Sequence, residues 1–212
     1  MILPVDKPAG MTSHDVVDRV RKSYHIKKVG HAGTLDPFAT GVLIILVGRE
    51  STKQSQELMH TDKEYQAQCY LGWVSDSHDP QGEIEKYSDH IPSQGDIDQI
   101  LERYQGDIEQ IPPMHSAIKI GGQKLYHLAR QGKTIERPPR QVHIQEMVCD
   151  EFSYPTLDLS IRCGSGTYIR SLARDIGQDL GTGAYLTSLR RRKVGDYRLE
   201  DCYNLDRLPE YT

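Results

Sequence analysis

The sequence predicts an α+β fold with a mixed, mostly antiparallel central sheet flanked by helices. Three observations carry this. Strand-like and helix-like segments alternate irregularly, not in repeated strand–helix–strand units. Glycine-bounded turns, such as Gly121-Gly122 after Ile118-Lys119-Ile120, ask for hairpins. No Gly-rich phosphate loop opens a helix, so a nucleotide cofactor is not indicated. The chain has 212 residues, 37% hydrophobic and 26% charged, the balance of one well-packed globular domain and too apolar for disorder.

Taken in order, Thr12 or Ser13 caps a helix whose apolar positions Val16, Val17, Val20 and Tyr24 share one face. Gly30 to Pro37 reads as a loop punctuated by Gly30, Gly33 and Pro37. Val42 to Val47 is a continuous apolar run between Gly41 and Gly48, as in a strand buried on both faces. Tyr65, Ala67, Cys69 and Leu71 alternate with polar neighbours, the period of a half-exposed strand. Ser93 starts a helix carrying Ile97, Ile100, Leu101 and Tyr104, with Gly106 beyond its end. Leu125 to Gln131 forms a short helix, and Leu157, Leu159, Ile161 and Cys163 mark another alternating strand. The clearest helix follows, with Ile169, Leu172, Ala173, Ile176 and Leu180 in one stripe and Gly181 as its stop.

Charge excludes some functions and suggests others. The net charge of −4 is unpromising for phosphate binding, but its distribution is uneven. Ten acids face two bases between Ser75 and Gln110, while six bases face one acid between Lys119 and His143. Seven bases face two acids between Arg162 and Lys193. A phosphate-binding face on an acidic body would be segregated in this way, and so would a set of solvated helix faces. Cys69, Cys149, Cys163 and Cys202 form no C-x-x-C pair, so reduced thiols are expected and a metal site is not. The longest apolar run, Val42 to Val47, falls far short of the ~20 residues of a membrane helix. With no secretory pattern at the N-terminus, the expectation is a cytoplasmic protein and, lacking a sign of an apolar docking face, a monomer.

The most informative stretch is Gly30-His-Ala-Gly-Thr-Leu-Asp-Pro-Phe-Ala-Thr-Gly41, which puts a carboxylate in a glycine-bearing loop ahead of a buried strand. From residue type alone Asp36 is a candidate acid or an ordinary turn former. The segment resembles the signature of the TruB-type tRNA pseudouridine-55 synthases, whose nucleophilic aspartate falls at Asp36. Further blocks match in the same order. They are Val5 to Ser13, Asp62-Lys-Glu-Tyr65, Pro112 to Ala117 with Lys124-Leu-Tyr126 and Arg137-Pro-Pro-Arg140, Arg162 to Ala173, and Leu186 to Arg191.

The resemblance implies a pseudouridine synthase catalytic fold over residues 1–212, an RNA-gripping insert at about 112–143, and isomerisation of a tRNA T-arm uridine, uridine 55, without cofactor or metal. It makes Arg170 the guanidinium that balances and orients Asp36. The target base must be extruded from its loop and held against an aromatic face. Tyr65 is carried over for stacking, Tyr168 and Leu189 for packing around the base, and His31 for the space the base vacates. Lys124, Arg130, Lys133, Arg137 and Arg140 of the insert, and Arg190, Arg191, Arg192 and Lys193 along a strand edge, would meet the RNA backbone. Bacterial relatives usually carry a further C-terminal RNA-binding domain of the PUA type or a similar small module, and the expectation for residues 1–212 is a catalytic domain without it. Phe38 stands where a smaller aliphatic residue is usual, and His115 where tyrosine is. Two alternatives are a guide-RNA-dependent synthase of the H/ACA type and a tRNA-binding or RNA-folding protein that does no chemistry.

Overall fold

The computed structural model describes residues 1–116 and 118–211, with the side chains of residues 119, 120, 124 and 130 outside the described set. The elements run β1 (Ile2–Lys7), α1 (Ser13–Tyr24), β2 (Val29–Ala32), β3 (Thr40–Val47), α2 (Arg49–Lys53), α3 (Ser55–Met59) and β4 (Lys63–Leu71). They continue with β5 (Trp73–Ser75), β6 (Ile84–Lys86), α4 (Gln94–Arg103), β7 (Gly106–Gln110), β8 (Lys119–Ile120), β9 (Gln123–Lys124) and α5 (Leu125–Arg130). The last are β10 (Arg140–Ser153), β11 (Thr156–Cys163), α6 (Ile169–Asp179), β12 (Ala184–Val194), β13 (Tyr197–Arg198) and a 3₁₀ turn (Leu199–Asp201). The main sheet is ordered β1-β3-β12-β4-β11-β10-β7, with β2 beside β3 and β13 beside β12. This is the mixed, largely antiparallel α+β architecture that the pattern predicts.

The helices begin where their caps are. Thr12 accepts from the Asp15 amide at 3.1 Å while the Asp15 carboxylate accepts from the Thr12 amide at 2.8 Å, a reciprocal pair that starts α1. Ser93 and Asp96 repeat the arrangement at α4. His25, at φ 55°, ends α1 in the left-handed region. One expectation needs correction: Val29–Ala32 is strand β2, antiparallel to β3 with Val29 opposite Val47. The glycines that suggested an all-loop segment leave the ladder intact, because Gly30 needs no left-handed φ and only Gly33 turns the chain away.

The chain forms two compact units. The first comprises residues 1–67, 160–165 and 188–212. Its centre is β3, buried from Gly41 to Val47, with β1 and β2 antiparallel and β12 parallel to it. Ala32, Val42, Ile44, Leu46 and Val194 form one packed cluster. The second comprises residues 68–159 and 166–187. It holds the β5–β6 and β7–β10 pairs, the insert hairpin β8–β9, and α6, whose buried Ile169, Leu172, Ala173 and Ile176 are its predicted stripe.

Candidate active site

Asp36 lies half-buried in the turn between β2 and β3. The backbone around it is held at every carbonyl. Arg191 Nη2 donates to Gly33 O at 3.0 Å and Nη1 to Thr34 O at 3.3 Å. Ser13 Oγ donates to Leu35 O at 3.0 Å and accepts from Leu35 N at 2.9 Å. Ala39 N donates to Asp36 O at 3.1 Å, and Pro37 O accepts from Gly10 N at 2.8 Å and from Lys7 Nζ at 3.3 Å. A loop bonded in this way presents its carboxylate from a fixed backbone, so little ordering remains to be done when substrate arrives.

Strand register puts two buried cations under that loop. Lys7 pairs across β1–β3 with Gly41, and Gly41 pairs in parallel with Arg191 of β12. Residues abreast in a sheet share a face. Gly41 has φ +102°, and a Cβ there would sit 2.2 Å from Arg191 O, so only glycine lets β3 and β12 approach. Lys7 is fully buried, and its ammonium also donates to Pro8 O at 2.9 Å and Met11 O at 2.7 Å. Burial pushes its pKa down to about 8, against the opposing pull of Asp36. With three carbonyl acceptors it remains an ammonium at neutral pH.

Tyr65 on β4 is 8% exposed; burial raises its phenol, and the Arg191 charge opposes the rise. Leu189 is buried on β12, two residues before Arg191 and so on the same face. His31 on β2 is half-buried; burial, then Arg191, lowers its pKa, and its Nδ1 is buried without a hydrogen-bond partner. Lys63 is buried too, donates to Met59 O at 2.8 Å and to Thr61 O, and is pushed down to about 8 by burial. The first unit therefore brings together Asp36, His31, Tyr65 and Leu189 with three cations, Lys7, Lys63 and Arg191.

The expectation for Arg191 needs correction. It is 1% exposed and gives its Nε to Val42 O at 2.8 Å besides the two loop carbonyls, so it does not face an RNA backbone. Nor is β12 an edge strand, since it lies between β3 and β4 in the sheet. Its neighbours differ: Arg190 is bonded to Asp6 at 3.0 Å, Lys193 to Glu64 at 3.3 Å, and Arg192 is exposed.

In the second unit Arg170, in the first turn of α6, is 2% exposed. Its guanidinium donates to Ser77 O at 3.0 Å and His115 O at 2.7 Å, and pairs with Asp79 at 3.4 Å. Asp79 is itself buried and accepts from Ser77 Oγ at 2.6 Å and Gln81 N at 2.9 Å. Gln110, 2% exposed, brackets the backbone of Tyr168 by accepting from its N at 2.8 Å and donating to its O at 3.1 Å. His78 sits at φ 62° with Nδ1 3.1 Å from Ser75 O, and burial followed by the charges of Arg174 and Arg170 takes it down to about 4.

In the insert a cavity of about 260 Å³ is bounded by Pro112, Ile118, Leu125, Glu136, Arg137, Pro138 and Arg140. Lys133 and Arg140 are exposed and Arg137 half-buried, whereas the side chains of Lys124 and Arg130 lie outside the described residues. The cations Lys7 and Lys63, and Asp79 and Gln110, escaped the sequence reading, because residue type marks all four as surface. Among the described residues no group of three or more His, Cys, Asp or Glu could hold a metal ion.

Solved structures share this fold. A chain of a Cbf5-Nop10-Gar1 complex superposes with a TM-score of 0.75 at 30% identity, over 97% of this chain and 52% of that one. A chain of an H/ACA RNP bound to a substrate RNA containing 2'-deoxyuridine gives 0.71 at 28% identity, over 97% and 51%. This chain thus spans about half the length of each. The fold, with its carboxylate loop, is that of a pseudouridine synthase. Residues 21–169 match the TruB family pseudouridylate synthase N-terminal domain, and residues 170–212 the tRNA pseudouridylate synthase B C-terminal domain. The tRNA pseudouridine synthase B of Protochlamydia amoebophila is 48% identical over 203 residues, 96% of this chain and 77% of that protein. The Chlamydia abortus protein of the same name is 46% identical over 201 residues, covering 95% and 85%. The chain belongs to the TruB family of pseudouridylate synthases.

Proposed function

We propose that this chain isomerises a T-arm uridine of tRNA, uridine 55, to pseudouridine, with Asp36 as the nucleophile and no cofactor. It is a tRNA pseudouridine synthase, as its relatives are named. The reaction breaks the N1–C1′ bond, turns the base and joins C5 to C1′, while C5 loses a proton and N1 gains one. Atoms and electrons balance within the nucleotide, so an ionised carboxylate and a shaped pocket are enough. The observation that carries the reading is the Gly33–Pro37 loop, which holds Asp36 on a backbone bonded at each carbonyl.

In this reading Arg170 is the charge partner of Asp36, and Tyr65 stacks on the extruded base while Tyr168 and Leu189 pack around it. His31 occupies the space left in the RNA loop. The whole chain serves as one catalytic domain with an insert at about 112–143 whose Lys124, Arg130, Lys133, Arg137 and Arg140 follow the RNA backbone, together with Arg190, Arg192 and Lys193. The enzyme works as a monomer in the cytoplasm. Purified chain is incubated with an unmodified, guide-free tRNA transcript, and pseudouridine is mapped by carbodiimide treatment and primer extension. A stop at uridine 55 with wild type and none with Asp36→Asn is the expected result. Activity retained by Asp36→Asn overturns the nucleophile, and a stop elsewhere overturns the target.

A further inference from the structure

We propose that Arg191 is a positioning residue for the isomerisation, setting the Asp36 loop and the Tyr65 ring in one rigid frame; this rests on the functional reading above. Three properties carry it. The guanidinium is turned into the protein, where it donates to Val42 O, Thr34 O and Gly33 O. Two of those partners lie two and three residues before Asp36, and the fork's planar geometry fixes both peptide planes at once. The Arg191 charge also acts on the buried Tyr65 phenol, so the group that bonds the segment carrying Asp36 lies beside the ring assigned to the base.

A purely structural role fits poorly. An apolar side chain of similar volume would fill the space without the desolvation that a buried guanidinium incurs. The carbonyls of Gly33 and Thr34 could otherwise turn to solvent, as loop carbonyls commonly do. Held instead by one planar group, they leave the loop a single geometry relative to Tyr65.

The test uses Arg191→Gln and Arg191→Lys, with Val16→Ala on α1 as a control for general loss of stability. Single-turnover rate and tRNA Kd are measured at one salt concentration, and amide hydrogen exchange is followed at Leu35 and Ala39. Arg191→Gln should slow the chemical step roughly hundredfold, the scale of a 1 Å misplacement, with Kd changed by no more than about twofold. Arg191→Lys restores charge without the fork and should recover no more than about tenfold of that loss. In both variants the Leu35 and Ala39 amides should exchange at least about tenfold faster while those of α1 keep their protection. Full recovery by lysine would overturn the proposal, as would a loss confined to Kd or a rate no lower than that of Val16→Ala. Collapse of the fold in both variants would also overturn it, by placing Arg191 in the scaffold alone. A wild type that makes no pseudouridine would defeat the functional reading instead, and the exchange result would still show whether Arg191 orders the loop.

Discussion

Between Gly33 and Pro37 five successive carbonyls accept hydrogen bonds from groups in β1, β12, the start of α1 and the turn itself. Between Gln131 and Arg140 every residue except Ile135 and Arg137 is exposed, and the chain has no regular structure until β10 begins. The two segments carry the residues assigned to the two halves of the task. Chemistry requires a carboxylate delivered to within a fraction of an ångström, and the loop's bonds provide that. Gripping a polyanion requires charge at moderate distance with freedom to adapt, which an exposed basic segment supplies. Damage to the first should therefore appear in stability and rate, and damage to the second in affinity and its dependence on salt.

The sharpest way to break the comparison is Gly41→Ala. Its Cβ would overlap Arg191 O at 2.2 Å on a residue with φ +102°, so backbone must move. A loss of about 4 kcal/mol or more is expected in urea unfolding, with activity falling alongside. A mild effect would mean that β3 and β12 can separate and that the loop's frame is soft. Lys7→Met comes next. It keeps the bulk and removes the ammonium that serves Pro8, Met11 and Pro37, leaving Met11 O and Pro8 O in need of donors. About 3 kcal/mol should be lost, again by urea unfolding.

Acid should find a weak point on the second unit. Folded, His78 takes up its proton only near pH 4, against 6.5 in an unfolded chain. Between those values the unfolded chain binds more protons, so stability falls as pH drops through this window and this group takes no more below it. The loss is on the order of 3 kcal/mol, and His78→Asn, which tolerates the left-handed backbone, should flatten that part of the pH–stability curve. The smallest effect on stability belongs to the insert. Arg137→Ala with Arg140→Ala should leave the urea midpoint nearly unchanged while reducing the slope of log K against log salt by about one for each phosphate no longer neutralised. An unaltered salt slope would remove both from the RNA-facing set.

Much of this architecture was readable from residue pattern. α1 and α4 announce themselves by a cap and a 3.6-residue stripe, α6 by a stripe and a glycine stop, and β3 by an unbroken apolar run, because such signals are local. β2 was hidden since its glycines resemble loop punctuation and its pairing partners lie twelve or more residues away. The site was legible in part. Asp36 stood out only through its resemblance to a family motif, as a loop aspartate before proline is chemically mute. Arg191 was misplaced because four consecutive cations suggest a solvent-facing stripe. Strand parity held the better clue, for Arg191 is two residues from the apolar Leu189 and must share its side of β12. The roles of Lys7, Asp79 and Gln110 depend on partners distant in sequence, and no local pattern reports those.

The parallel pairing of β3 with β12, two residue pairs in length, has a bearing on how the molecule is born. The fork of Arg191 reaches back 149, 157 and 158 positions to Val42, Thr34 and Gly33. At a ribosome's pace of ~5–20 residues per second, roughly 8–30 s separate synthesis of Asp36 from synthesis of the arginine that braces its loop. Throughout that interval the nascent chain carries Asp36 on an unfinished scaffold, and such long loop closures come late in folding. The Asp36 loop therefore takes its braced geometry only once β12 has been made.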